Sequence, residues 1–251
     1  MKNPRSILIT GASSGIGAAL ARHYAAPGVT LHLGGRDQAR LEAVAADCAA
    51  LGAACLPQVL DVTERGAMAA WIAAADEAAP LDLVIANAGI GESRHDGTMS
   101  DIAERTFAVN VGGVFHTVHP AAERMAARRR GQIAVISSLA GYQGLASTPA
   151  YSASKAAVKA YAEALRGLLE SEGVEVSVVC PGFVVSGITA RNDFRMPFLM
   201  SAERAARIIA RGLAANRGRI VFPWQLMLGV RVLVNLPMPA IDWLMRRAPR
   251  K

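Results

Sequence analysis

The residue pair Tyr151 and Lys155 has the side chains and the spacing of a general acid/base site. Because the two residues are four apart, a helix would place them on one face, with the lysine ammonium near the phenol. A free tyrosine titrates near pH ~10, and a fixed positive charge beside it favours the phenolate. Such a phenol can exchange a proton near neutral pH. Taken alone, the pair is also typical of chance neighbours on an exposed helix.

A glycine-rich segment near the N-terminus indicates a dinucleotide site. The apolar run Ser6–Thr10 leads into Gly11-Ala12-Ser13-Ser14-Gly15-Ile16-Gly17, and a helical pattern follows over residues 18–24. Glycines let the backbone turn sharply and approach a pyrophosphate, which the free N–H groups and positive dipole end of the helix attract. A plain glycine turn is the alternative. The strand before the loop and the helix after it favour the dinucleotide interpretation.

Further motifs follow in order along the chain. They are Asp61-Val62, Asn87-Ala88-Gly89, Asn110 in a helical pattern, Ser138 at 13 residues before Tyr151, and Pro181-Gly182 after a predicted strand. Together with the glycine loop and the Tyr-Lys pair, these motifs resemble the short-chain dehydrogenase/reductase family in its single-domain branch, from about Ser6 to Val221. The resemblance implies an NAD(P)-dependent oxidoreductase that transfers a hydride between nicotinamide and a carbonyl or alcohol substrate.

The resemblance also implies a set of site residues. The catalytic residues are expected to be Asn110, Ser138, Tyr151 and Lys155. With Arg36, which is considered below, the residues expected to contact the cofactor are Gly11, Ser13, Ser14, Gly15, Ile16, Gly17, Arg36, Asp61, Val62, Asn87, Ala88, Gly89, Tyr151, Lys155, Pro181, Gly182 and Ser186. At the last of these positions, relatives often have a threonine that contacts the carboxamide, and serine keeps the hydroxyl.

The implied mechanism divides the work among four side chains. Tyr151 gives a proton to the carbonyl oxygen or removes one from the alcohol, and Ser138 hydrogen-bonds the same oxygen. Lys155 is expected to hold the nicotinamide ribose and to lower the Tyr151 pKa. Asn110 is expected to bend its helix and to hold a water that links Lys155 to solvent.

Structural alternatives exist for several of these polar residues. Ser137 and Ser138 are also typical of a strand end, although the interval to Tyr151 favours chemistry for Ser138. Asn110 could satisfy local backbone groups. For Asn87, a buried turn residue that satisfies the backbone is the favoured interpretation.

The composition predicts one α/β domain over residues 1–251 with a large core, because 52% of the residues are hydrophobic and 19% are charged. Apolar runs near 6–10, 29–33, 54–59, 81–85, 132–137, 175–179 and 219–222 alternate with helical patterns. This alternation predicts a Rossmann-like, doubly wound, mostly parallel seven-stranded sheet with helices on both faces. Gly11, Asn87, Ser138 and Pro181 follow strand ends, so one crevice can collect them.

The end of the second strand favours NADP over NAD. Gly35 takes the place of an acidic residue that would bind the ribose hydroxyls, and Arg36 could meet a 2′-phosphate. The alternative for Arg36 is a solvated helix start. Asp37 would oppose a phosphate, and Ser14 stands where many NADP-preferring relatives have a basic residue.

Charge and cysteine content argue against other classes. The net charge is +7, but the basic residues are scattered and aromatic residues are 5%, so no nucleic-acid partner is expected. The run Arg128–Arg130 is interpreted as a solvated helix end. Three cysteines and the absence of a signal segment favour a cytoplasmic protein. No metal site is expected, since His95, His116 and His119 are isolated.

The segment after Pro181-Gly182 is expected to cover the substrate. Its apolar residues, which favour a hydrophobic carbonyl substrate over a polar one, are Ile188, Phe194, Met196, Phe198, Leu199 and Met200. Ordinary packing is the alternative.

Residues 222–251 form an apolar C-terminal extension that Pro237 and Pro239 are expected to split into short helices. It could pack against another subunit, cover the substrate cleft or lie in a membrane interface. Packing is favoured. The Arg231 interruption argues against spanning, and the basic tail 246–251 is compatible with peripheral contact with anionic lipid.

The sequence therefore favours an NADPH-dependent ketone or aldehyde reductase, and the family implies a homodimer or homotetramer that pairs helices around 103–124 and 151–171. The alternative is a catalytically idle NADP-binding sensor or scaffold. The physiological substrate and the direction of reaction do not follow from the sequence.

Overall fold

The computed structural model describes residues 2–92, 97–192 and 194–245. Seven strands form one sheet in the order β3-β2-β1-β4-β5-β6-β7, and every neighbouring pair is parallel. The strands are β1 Ser6–Thr10, β2 Thr30–Gly35, β3 Ala54–Val59, β4 Leu83–Ala86, β5 Gly131–Ile136, β6 Val174–Pro181 and β7 Arg219–Phe222. The α/β, Rossmann-like, doubly wound fold is confirmed, and its described strands are all parallel.

Helices connect the strands. They are α1 Gly15–Tyr24, α2 Gln38–Ala50, α3 Arg65–Ala78, α4 Met99–Phe107, α5 Gly113–Ala127, α6 Pro149–Glu170, α7 Ala202–Ala214, α8 Trp224–Val234 and α9 Met238–Met245. A π-helical turn, Ala108–Gly112, joins α4 to α5, and short 3₁₀ turns span Leu139–Gly141 and Thr189–Arg191.

The core has two layers because the central strands are apolar on both faces. On one face, Ile7 and Ile85 pack with buried side chains of α1, α2 and α7. On the other, Leu8 and Val84 pack with buried side chains of α3, α5 and α6. Burying each such aliphatic side chain contributes about 1.5–3 kcal/mol. The predicted helices on both faces are confirmed.

The predicted strands match the observed ones to within about two residues, and the differences have packing reasons. β2 continues through Gly34 and Gly35, which pair with Gln58 and Val59 of β3. A side chain at Gly34 would lie 2.6 Å from the indole ring of Trp71. β6 continues to Pro181, which pairs with Phe222 of β7. β3 contains Pro57 and lies at the sheet edge, where a missing backbone donor is tolerated.

The C-terminal extension forms two short helices, as predicted. α8 ends at Val234, and Pro239 lies in the first turn of α9. Among the described residues, no helix is both long enough and apolar enough to cross a bilayer.

Candidate active site

A cleft of about 600 Å³ opens beyond the carboxyl ends of the strands, where the strand order reverses between β1 and β4. The predicted cofactor residues that line it are Gly11, Ser13, Ser14, Gly15, Ile16, Arg36, Asp61, Val62, Asn87, Ala88, Gly89, Tyr151, Lys155, Pro181, Gly182 and Ser186. Gly17 does not line the cleft. Of the predicted catalytic residues, Ser138, Tyr151 and Lys155 line it, whereas Asn110 lies behind its wall.

The loop between β1 and α1 presents bare backbone to this cleft. Gly15 begins α1 with a φ of 53°, which favours glycine, and Ser14 provides no side-chain cap. A Cβ at Gly17 would collide with the Gly11 carbonyl oxygen and lie 2.6 Å from Asn87 Nδ2. The N–H groups at the start of α1 therefore have no side-chain cap, and the glycines of the loop leave the backbone accessible. A pyrophosphate requires such donors. The observed loop therefore fits a dinucleotide, and Gly17 serves it by allowing close packing.

Asn87 fixes this loop to the next strand. Its Nδ2 donates to the carbonyl oxygens of Thr10 and Gly11, at 2.9 and 3.1 Å. In return, the backbone N–H groups of Asn87 and Ala88 donate to Thr10 Oγ1, at 3.0 and 3.1 Å. These four bonds satisfy backbone and side-chain groups at the ends of β1 and β4, which supports the structural interpretation of Asn87.

At the other end of the cleft, two ion pairs surround the end of β2. Arg36 Nη1 lies 3.6 Å from Asp61 Oδ2. Asp37 caps α2 by accepting from the Arg40 backbone N–H at 3.0 Å, and its other oxygen lies 3.2 Å from Arg40 Nε. Arg40 also lines the cleft. Asp37 is therefore partly neutralised by its own helix, and Arg40 is a second cation that the sequence analysis missed.

Asp61 is held in its charged form. Burial raises the pKa of its carboxyl. Hydrogen bonds from Thr63 and the nearby Arg36 guanidinium together lower the pKa by more than burial raises it, so the pKa lies below its usual value. Thr63 donates from both its backbone N–H and its hydroxyl to Asp61 Oδ1, each at 2.9 Å. Asp61 is thus an oriented acceptor at the cleft wall.

Tyr151, Lys155 and Ser138 meet where α6 begins. Ser138 and Tyr151 line the cleft together, and the Ser138 side chain lowers the pKa of the Tyr151 phenol against the larger effect of burial. Lys155 Nζ lies 5.8 Å from the centre of the Tyr151 ring and donates to the Ile136 carbonyl oxygen at 2.9 Å. The spacing of 13 residues to Ser138 and four to Lys155 therefore assembles one polar cluster, as predicted.

Burial is the largest effect on the electrostatics of this cluster. It raises the Tyr151 pKa, and the Ser138 side chain opposes that rise. Burial also lowers the pKa of Lys155 to about 8, so its positive charge is already weakened in mildly alkaline solution. That Lys155 lowers the Tyr151 pKa stays a prediction.

The two adjacent serines have different surroundings. Ser137 is buried, and its Oγ donates to the Lys155 carbonyl oxygen at 2.7 Å, which ties β5 to α6. Ser138 Oγ accepts from the Ala140 N–H at 3.1 Å and faces the cleft. Ser137 is therefore a structural tie, and Ser138 remains available to a ligand.

Asn110 lies in the π-helical turn, where the predicted distortion of its helix is found. Its side chain accepts from the Ile90 N–H at 2.8 Å and donates to the Ile90 carbonyl at 3.0 Å and to Ser154 Oγ at 3.1 Å. A Cβ at Gly89 would lie 3.1 Å from Asn110 Oδ1 and 3.3 Å from Lys155 Nζ. Asn110 thus satisfies backbone groups of the loop after β4 and not those of its own helix. It also adjoins Lys155 across that loop.

A second cavity, of about 320 Å³, joins the cleft at Ser138, Tyr151 and Gly182. Its walls are mainly apolar side chains, namely Leu139, Ala140, Leu145, Phe183, Ile188, Phe194, Leu226, Val230 and Leu233. The last three come from α8, so the C-terminal extension covers this cavity. Covering the substrate cleft was one of the three roles predicted for the extension.

The predicted substrate cover is only partly correct. Ile188 and Phe194 line the cavity, whereas Met196, Phe198, Leu199 and Met200 do not. Met200 is buried in the core beside Val184, with which it forms a β-bridge. Phe198 and Leu199 are exposed. Apolar residue type alone did not separate cavity, core and surface here.

Glu92 is a cavity residue that the sequence analysis missed. Its carboxylate accepts from the Tyr151 backbone N–H at 2.8 Å, and only 9% of the residue is exposed. Thr148, the N-cap residue of α6, makes no side-chain cap, so Glu92 serves the start of that helix from a different loop. Nothing in the sequence around Glu92, a lone acidic residue three positions after Gly89, predicts this contact with Tyr151.

Other predicted features have local roles. His116 Nδ1 lies 2.9 Å from the Val62 carbonyl oxygen, and His119 Nε2 lies 2.8 Å from Tyr161 Oη. His95 and the basic tail 246–251 lie outside the described residues. Within the described ranges, no group of three or more His, Cys, Asp and Glu side chains forms a metal-binding cluster. The absence of a metal stays a prediction.

The basic run at the end of α5 is more structural than predicted. Arg128 Nη1 lies 2.8 Å from Asp76 Oδ1, and its Nη2 donates to the Leu81 carbonyl oxygen at 2.7 Å. Arg129 and Arg130 are exposed, but Arg129 Nη2 donates to the Ser171 carbonyl oxygen at 2.8 Å and Arg130 Nη2 lies 3.1 Å from Asp82 Oδ1. The last two arginines are therefore solvated, as expected, and also tied to neighbouring segments.

Comparisons with known proteins agree with this architecture. The profile of a family described as short chain dehydrogenase matches residues 5–195. An uncharacterized oxidoreductase of Myxococcus xanthus (strain DK1622) is 40% identical over 245 residues, which cover 97% of each chain. A short-chain dehydrogenase from Sphingobium yanoikuyae, solved in complex with NADPH, has a TM-score of 0.80 and 27% identity over 93% of this chain and 96% of that one. A short chain dehydrogenase/reductase from Burkholderia phymatum, solved in complex with NAD, has a TM-score of 0.82 and 27% identity over 98% and 96%.

Proposed function

The chain belongs to the short-chain dehydrogenase/reductase family of oxidoreductases, which act on CH–OH and C=O groups, and we propose that this protein reduces apolar ketones or aldehydes with NADPH. The observation that carries the proposal is the junction of the polar cleft with the apolar cavity. Ser138 and Tyr151 line both spaces. A carbonyl group at this junction meets a hydroxyl and a phenol, while its apolar substituents lie in the cavity.

The chain's own residues handle the carbonyl oxygen and the proton. Tyr151 donates a proton to that oxygen in reduction and removes one from the alcohol in oxidation. Ser138, which lines the same junction as Tyr151, donates to the same oxygen as negative charge develops. When bound, a nicotinamide cofactor supplies or takes up the hydride.

Lys155 and Asn110 support the proton donor. Lys155 would hold the ribose next to the nicotinamide, and a pKa of about 8 allows its amino group to exchange protons near neutral pH. Asn110 adjoins Lys155 across the loop after β4. This placement supports a proton path from Lys155 to solvent along the π-helical turn, with a water held by Asn110.

The remaining cleft residues fit the other parts of a dinucleotide. The loop from Gly11 to Gly17 would hold the pyrophosphate, and Asp61 and Val62 the adenine. Pro181, Gly182 and Ser186 would hold the nicotinamide side, where the Ser186 N–H donates to Thr189 Oγ1 at 2.9 Å. Thr189 and Arg191 line the same wall, so this 3₁₀ turn belongs to the proposed site.

NADPH is proposed over NADH because Arg36 and Arg40 both line the cleft beyond Gly35. Two guanidinium groups can form charge-assisted hydrogen bonds to a 2′-phosphate. Asp37 is engaged with Arg40 and with the start of α2, which reduces its opposition to a phosphate. Solved relatives bind NADPH in one case and NAD in another, so the two arginines carry the preference.

The wider predictions stand as parts of the proposal. We expect one domain over residues 1–251, a cytoplasmic protein, and a homodimer or homotetramer. Phe115 of α5 and Tyr161 of α6 form an edge-to-face pair 4.8 Å apart, and His119 stacks on Phe115. This aromatic cluster lies on the helices expected to pair between subunits, which supports the oligomer.

The proposal is tested by titrating the protein with NADPH and NADH by fluorescence and then assaying a series of apolar ketones and aldehydes. Tyr151→Phe should bind NADPH like the wild type and lose about 10³-fold in kcat. Arg36→Leu should lower the NADPH over NADH preference by about tenfold or more. Tight NADPH binding without turnover of any carbonyl would favour the idle sensor instead. Failure to bind either nucleotide would overturn the cofactor assignment.

A further inference from the structure

α8 has two apolar faces, only one of which the protein uses. Leu226, Val230 and Leu233 line the cavity. Trp224, Leu228 and Val232 recur every four residues on the opposite side, so they form one surface, the outer face of α8. These three side chains are 70%, 57% and 58% exposed. Contiguous exposed apolar side chains of this size mark an interaction surface.

Basic charge accompanies this face. Arg231 is exposed on the same helix. In the sequence, residues 222–251 contain four arginines and one lysine but a single acid, Asp242, so they carry +4 of the chain's net +7. An apolar face on a helix with an exposed arginine, in a segment of net positive charge, complements an anionic lipid surface.

A second copy of the chain is a poorer occupant of this face. A two-fold interface would place the outer face against itself, and with it the basic residues of both copies. Like charges at such an interface oppose association. Spanning is also excluded for α8, because 11 residues make a helix of about 16 Å, roughly half the hydrocarbon thickness of a bilayer.

We propose that the outer face of α8 docks on anionic membrane surfaces, with Trp224, Leu228 and Val232 in the headgroup region and Arg231 on the phosphates. The helix then lies in the plane of the interface. Because the same helix forms a wall of the cavity, docking places that wall at the lipid surface. The docking does not depend on the proposed function. Only the use of docking to take up apolar carbonyl substrates rests on the proposed function.

Vesicle flotation of the full chain tests the docking. The vesicles are phosphatidylcholine alone, or phosphatidylcholine with about one third phosphatidylserine. The test variant is Trp224→Gln/Leu228→Gln/Val232→Gln. The matched control is Leu51→Gln/Leu56→Gln/Val59→Gln, which removes side chains of 51%, 50% and 48% exposure at the opposite edge of the sheet.

Wild type and control should float with the anionic vesicles, and the α8 variant should bind at least about tenfold less. Binding should fall in neutral vesicles, in high salt and in Arg231→Glu, because screening or removing the charge weakens it. Thermal melting confirms that each variant is folded. Absence of wild-type flotation, or equal flotation of the α8 variant, overturns the proposal. So does light scattering that shows the α8 variant dissociating an oligomer, since a second copy then covers the face. Turnover of a small water-soluble aldehyde is measured separately, so its failure would count against the reductase and not against docking.

Discussion

The cleft and the cavity meet at Ser138 and Tyr151, yet they are built by different means. The cleft is formed largely by backbone at strand ends, with Gly11, Gly89 and Gly182 in its walls. The cavity is formed mainly by side chains from separated segments, which are the loop after β4, the stretch from the end of β5 to the start of α6, the loop after β6, and α8. Backbone at the edge of a sheet is fixed by the fold, whereas side chains can change without altering it. The residues for the chemistry are therefore positioned by the sheet itself, whereas the preference for a substrate depends on side chains of the segments added around the sheet.

The sharpest way to break the cleft is to disturb the packing behind its glycine loop. Gly17→Ala should weaken NADPH binding at least about 100-fold, because the new methyl collides with the Gly11 carbonyl and crowds the Asn87 amide, which displaces the loop. Gly167→Ala on α6 is the matched control, since nothing lies within 4 Å of a Cβ there. Fluorescence titration measures both variants. Equal NADPH affinity in the two would show that the position of this loop does not determine cofactor binding.

The buried lysine of the cleft makes stability depend on pH. Between pH about 8 and 10.5, the unfolded chain holds a proton on Lys155 that the folded chain lacks. Wild-type stability should therefore gain about 1.4 kcal/mol per pH unit over Lys155→Met in this window. Below pH 8 the lysine is charged in both the folded and the unfolded state, so the difference in stability between wild type and Lys155→Met should be constant. Urea unfolding at several pH values measures it, and parallel curves up to pH 10 would contradict the lowered pKa.

Glu92 links the two regions, because it lines the cavity and bonds to the backbone of Tyr151. Glu92→Ala should lower kcat about tenfold with unchanged NADPH affinity, since the hydrogen bond that holds Tyr151 is lost. Glu92→Gln keeps a carbonyl acceptor and should restore most of kcat. Steady-state kinetics with both variants decide the role. An equal loss in the two would show that the hydrogen bond does not position Tyr151.

The smallest expected effect comes from the cavity wall alone. Val230→Thr adds a hydroxyl inside the apolar cavity and should raise KM for an apolar ketone by about threefold to tenfold, without changing NADPH affinity. Val232→Thr, on the outer face of the same helix and 58% exposed, should leave KM unchanged for a ketone in solution. If both variants behave alike, α8 does not contact the substrate.

Much of the fold followed from local sequence patterns. Apolar runs such as Leu83–Ala86 predicted strands buried on both faces, and the loop from Gly11 to Gly17 predicted the turn into α1. The ends of β2 and β6 were less accurate, because Gly34 and Pro181 are kept in strands by pairing with β3 and with β7. Such contacts come from distant residues and leave no local signal.

The sequence by itself determined the sheet, the glycine loop and the cluster of Ser138, Tyr151 and Lys155, because each depends on short spacings along a strand, a turn or a helix. Only the tertiary structure decided that Ser137 is a tie and Ser138 faces the cleft, that Glu92 holds the start of α6, and that α8 closes the cavity. It also decided that Tyr151 is buried, which raises its pKa. The physical reason is that burial and long-range hydrogen bonds depend on which surfaces meet after folding, and a linear spacing does not contain that information.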